Sequence, residues 1–132
     1  MISTTRRQTL VGAVVVPTLA GLPRFAWAYG DKALAVYDSD LVAGRQLAEV
    51  HGGDVLAIEG DRIRFARAVF ERKPSLVVGV SRPADALLIE DVGREAGFVR
   101  IDSGAKALRD MIDAARSRDR GLVLGWLLAP RV

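Results

Sequence analysis

From Lys32 onward the chain sets five short apolar runs apart with four segments of helical period. This is the sequence form of a parallel sheet whose strands are joined by crossover helices. The first run, residues 33–37, leads into a helix over 40–51 in which Ala43, Leu47 and Val50 share a face and Asp40 stands where a cap is needed. A second run, 55–59, passes through Gly60 into a helix from Asp61, with Ile63, Ala66 and Phe70 on its apolar side. Pro74 ends that helix, and the nearly continuous apolar run 75–81 reads as a strand covered on both faces. Pro83 suits the first turn of a third helix, in which Leu88, Val92 and Ala96 recur every fourth residue until Gly97 stops it. A fourth run, 98–102, precedes a helix capped by Ser103, lined by Leu108, Met111, Ile112 and Ala115, and closed by Gly121 before a fifth run over 122–128.

Five strands and four helices joined by right-handed crossovers imply a three-layer open α/β sheet. The pattern resembles flavodoxin-like domains, and the favoured strand order is 2-1-3-4-5, with the other doubly wound order kept open. Such domains carry a further helix after the fifth strand, whereas this sequence stops at Arg131-Val132. The expectation is an apolar, uncovered sheet face around strands three to five, including Trp126, available to a second copy or a protein partner. The alternative is that the remaining helices shift to cover it.

Residues 1–28 read as an address and not as part of the fold. A basic opening is followed by the apolar stretch 10–22 and the small-x-small triplet Ala26-Trp27-Ala28. The stretch is short for a spanning helix and contains Pro17, so no stable membrane span is expected. Thr5-Arg6-Arg7-Gln8-Thr9-Leu10 resembles the twin-arginine signal family, with Thr9 in place of the usual bulky apolar residue. That resemblance implies export of a folded protein by the twin-arginine machinery, cleavage after Ala28, and a periplasmic or secreted domain over residues 29–132. The chain as a whole resembles small bacterial proteins that carry such a signal.

The net charge of +3 is supplied by this segment, because removing Arg6, Arg7 and Arg24 leaves 16 basic side chains against 16 acidic ones. A neutral domain gives no reason to expect a nucleic-acid partner. The densest basic run, Arg62, Arg64, Arg67, Arg72 and Lys73, reads as the solvated face of a helix. With no cysteine in the chain, disulfides, thiolate metal sites and cysteine nucleophiles are all excluded.

In open parallel sheets ligands bind at the carboxyl ends of the strands, where helix amino-termini point. Those ends carry Asp38, Ser39 and Asp40, then Glu59, Gly60 and Asp61, then Ser81 and Arg82, then Asp102 and Ser103. Asp38, Ser39, Ser81, Arg82, Asp102 and Ser103 are therefore the candidate ligand-binding residues. The competing reading is that the Asp and Ser residues cap helices and shape turns. For Arg82 the alternatives are pairing with Asp38 or Asp102, or receiving an anion.

The run 34–40, ending in Asp38-Ser39-Asp40, resembles the first motif of haloacid dehalogenase-like phosphatases. That would make Asp38 the nucleophile and Asp40 the general acid/base, with Ser81 in the second motif. The chain departs from that family in having Leu41-Val42 after the motif and no later strand ending in paired acidic residues. Receiver domains share the fold class but need an aspartate where Ser81-Arg82 stands. No Gly-x-Gly-x-x-Gly or Walker-type loop is present, and no cofactor or metal ligand set is identified. The single histidine, His51, falls at the opposite end of the sheet and reads as a helix-ending residue. The expectation is a non-enzymatic exported accessory or binding protein, and the alternative is a small metal-dependent hydrolase using Asp38 and Asp40.

Overall fold

The computed structural model of the chain describes residues 33–102 and 105–132. The expected signal, with Arg6, Arg7, Ala26 and Ala28, and the expected cap Ser103 lie outside the described residues. Among those described, the elements are β1 (Ala33–Tyr37), α1 (Val42–Val50), β2 (Asp54–Ala57), α2 (Arg62–Glu71), β3 (Leu76–Ser81), α3 (Pro83–Glu95), β4 (Phe98–Ile101), α4 (Ala105–Ala114) and β5 (Leu124–Pro130). The α/β class is as the alternation predicts.

The strand order is β2-β1-β3-β5-β4, which corrects the favoured order. β1 pairs in parallel with β2 and with β3. β5 then enters antiparallel between β3 and β4, with Gly79 opposite Trp126 and Arg100 opposite Leu128. The sheet is mixed. An antiparallel β5 must start at the end of the sheet where β4 stops, so the connection containing α4 leaves and re-enters at one end. α4 accordingly stops at Ala114, short of the predicted Gly121, and turns over residues 115–119 bring the chain back.

Strand alternation sends side chains to two separate cores. On one face Ala35, Val78 and Leu127 pack with Leu47 of α1 and with Leu108 and Met111 of α4. On the other, Val36, Val77, Trp126 and Leu128 pack with Phe70 of α2 and Ile89 of α3. Trp126 is therefore buried, 2% exposed, and not part of an uncovered face. The physical reason is the order itself: with β5 inside the sheet, α3 lies over the face that carries Trp126 and α4 over the face that carries Leu127. Among the described residues no helix is long and apolar enough to cross a membrane.

Two local details differ from the periodicity. Ile63 is 49% exposed, and α2 buries Ala66, Val69 and Phe70 instead. α3 turns Ala86, Ile89 and Gly93 inward, while Leu88 and Val92 are only partly buried.

Candidate functional site

β1 delivers Asp38 to the carboxyl end of the sheet, where its backbone N–H donates to the Val80 carbonyl at 3.0 Å. Its side chain then turns back on the chain, with Oδ1 accepting from the Asp40 N–H at 2.9 Å. This carboxylate shapes a turn, as Asp does where the backbone reverses. The Ser39 carbonyl accepts from the Arg45 guanidinium at 2.6 Å. Gly44 has to be glycine, because a Cβ there would lie 2.4 Å from the Asp38 carbonyl oxygen.

The amino-terminus of α1 is the position that would cradle an anion in a sheet of this kind. It is already filled from within. Leu41, not the predicted Asp40, is the N-cap, and it makes no capping bond through its side chain. Asp119 supplies the cap from 77 positions away, with Oδ1 accepting from Val42 N–H at 2.7 Å and Oδ2 from Ala43 N–H at 2.9 Å. Asp119 is 7% exposed. A buried carboxylate is tolerated here because two orphan N–H groups and the positive end of the helix face it.

Further along the rim, Asp61 caps α2 by accepting from Arg64 N–H at 3.0 Å, and Arg62 pairs with Asp85 at 3.1 Å. Ser81 is fully buried. Its hydroxyl donates to the Arg82 carbonyl at 3.0 Å and accepts from Trp126 Nε1 at 3.1 Å. Arg82 pairs with neither expected carboxylate: its guanidinium donates to the carbonyls of Arg120, at 2.5 Å, and Leu122, at 3.2 Å. It thereby ties the returning connection to the start of α3. Asp102 lies at the end of β4, three strand positions from β1, or roughly 14 Å at the usual strand spacing. The structure thus brings Asp38, Ser39, Ser81 and Arg82 to one region and leaves Asp102 at the far edge. His51 is the C-cap of α1, its Nε2 donating to the Ala33 carbonyl at 3.2 Å, at the opposite end.

An open cleft lies elsewhere, along α4 and the strands beside it. One part, about 330 Å³, is lined by Ile101, Asp102, Arg109, Ile112 and Val123 among others. A second part, about 450 Å³, shares Ile112, Arg116 and Val123 and continues to Arg120 and Leu122. Both volumes are in the range of small-molecule sites. Asp102 is the one sequence-predicted site residue in this cleft; the sequence marks Ile112 and Val123 only as helix and strand positions, and no motif marks Arg109. Among the described residues, no three His, Asp or Glu side chains converge in a way that would hold a metal ion. Comparison of the chain with protein-family models, with curated proteins and with solved structures finds no match.

Proposed function

We propose that this chain is an exported, non-catalytic binding module that acts in the periplasm or beyond it. The observation that carries the non-catalytic reading is that the polar groups at the strand ends are engaged in the fold itself. Asp38 holds a turn, Asp61 and Asp119 cap helices, Ser81 lies buried beneath Trp126, and Arg82 clasps two carbonyls. A hydrolase using Asp38 and Asp40 needs both carboxylates directed at a shared reacting atom, and Asp38 is instead directed at the Asp40 backbone. An accessible concavity runs along α4, lined by arginines and by Ile112 and Val123. Export is supported by the Arg6-Arg7 pair, the apolar stretch 10–22 and the Ala26-x-Ala28 triplet.

The test is expression of the full chain in a bacterium with an active twin-arginine pathway, followed by fractionation and sequencing of the amino-terminus. The expected product is periplasmic and begins at Tyr29. Replacing Arg6 and Arg7 together by Lys is expected to leave the uncut chain in the cytosol. Uncut wild-type chain in the cytosol would overturn the export reading. A rise in melting temperature with magnesium would overturn the non-catalytic one in favour of the metal-dependent alternative.

A further inference from the structure

We propose that residues 115–123, the connection from α4 to β5, form a strap that opens as one unit, held shut by Asp119 and Arg82 acting as coupled latches. The strap is also a wall of the cleft beside α4, so its opening regulates that cleft, a role that rests on the binding reading above.

Only the two ends of the strap are anchored in the apolar core. Ala115 is fully buried and Val123 is 9% exposed, and between them the one buried residue is Asp119. Arg116, Ser117, Arg118, Arg120, Gly121 and Leu122 are exposed, Leu122 by 66%. The strap's own backbone bonds stop at Asp119, where the Arg118 and Asp119 N–H groups both donate to the Ala115 carbonyl at 2.9 Å. Among the described residues, no backbone–backbone bond holds 120–123.

What fastens the middle of the strap is therefore polar, and it comes from two other elements. Asp119 accepts from the Val42 and Ala43 N–H groups at the start of α1, while Arg82, the N-cap of α3, donates to the carbonyls on either side of Gly121. Gly121 has a φ of 79°, a conformation open to glycine, and a Cβ there would lie 3.1 Å from Arg82 Nη1. Asp119 and the Arg120 carbonyl belong to consecutive residues, so neither latch swings clear of the fold while the other is fastened. Releasing one leaves the other to hold the exposed segment alone against its conformational entropy. The stable arrangements are both latches fastened or neither. Every residue lining the larger part of the cleft except Ile112 lies in the strap, so that part, about 450 Å³, exists only when the strap is shut.

The experiment is native-state amide exchange on the purified full chain at rising, sub-denaturing urea, followed residue by residue by NMR. The Val42, Ala43, Arg118 and Asp119 amides are expected to share one opening that hardly depends on urea and that occurs more often than the opening of Val77–Val80 in β3. Arg82→Gln is expected to speed exchange at Val42 and Ala43 at least about tenfold, although Arg82 bonds to neither, and to speed tryptic cleavage after Arg116 and Arg118 by a similar factor. Wild-type exchange rates at Val42 and Ala43 in that variant, with or without faster cleavage, would mean independent latches and overturn the proposal. In the wild-type chain, exchange at these two amides with the urea dependence of β3 would overturn it as well, because nothing then opens short of unfolding. No ligand enters these measurements, so their failure is distinguishable from a failure of the binding reading.

Discussion

At the scale of single residues, Asp119 and Trp126 do work that no local pattern announces. Asp119→Ala leaves the Val42 and Ala43 N–H groups without their acceptor, and a loss of about 2 kcal/mol is expected in urea unfolding. Asp119→Asn, which keeps an acceptor oxygen but not the charge, is expected to lose less. The Trp126 indole lies where a Cβ on Gly79 would come within 2.2 Å of Cζ2, and Ser81, two residues along β3, accepts its N–H. Gly79→Ala is therefore expected to destabilise by about 2 kcal/mol, and adding Trp126→Phe to recover part of that, read from a double-mutant cycle. The sequence made the carboxylates at Asp38 and Asp61 legible as turn and cap, because their partners are two and three residues away. Asp119 was not legible, since its partners are 76 and 77 residues distant. Nor was the fate of Arg82, whose carbonyl partners are on a connection that could be placed only once β5 was placed.

At the scale of elements, hydrophobic period located every strand and helix to within a few residues, apart from the end of α4. Periodicity records which side of an element is covered, and it carries no information about which strand is its neighbour. β5 reads as a strand in any order; its insertion depends on the pairing of Gly79 with Trp126, a small residue opposite a large one, which a sequence displays only to someone already comparing those two runs. Hydrogen exchange discriminates the orders. Amides of β5 are expected to be protected as strongly as those of β3, with β2 and β4 exchanging first as edge strands. Fast exchange throughout β5 would restore the parallel order in which it lies at the edge.

At the scale of the whole molecule, the balance of 16 basic and 16 acidic side chains outside the first 28 residues removes the electrostatic drive toward polyanions. Residues 29–132 are accordingly expected to show no change in fluorescence anisotropy of labelled duplex DNA at physiological salt. The charge that remains is arranged in local pairs such as Arg62–Asp85 and Lys106–Asp110, which are worth little individually at an exposed surface. Stability must come from the two apolar layers on either side of β1, β3 and β5. The placement of β5 also orders events during synthesis. Because β5 is made after β3 and β4 and is wedged between them, these two have no shared neighbour until residue 130 has left the ribosome. Nascent chains halted at Gly121 should consequently recruit chaperones and resist compaction, and the closed sheet exists only once Leu124–Pro130 has emerged.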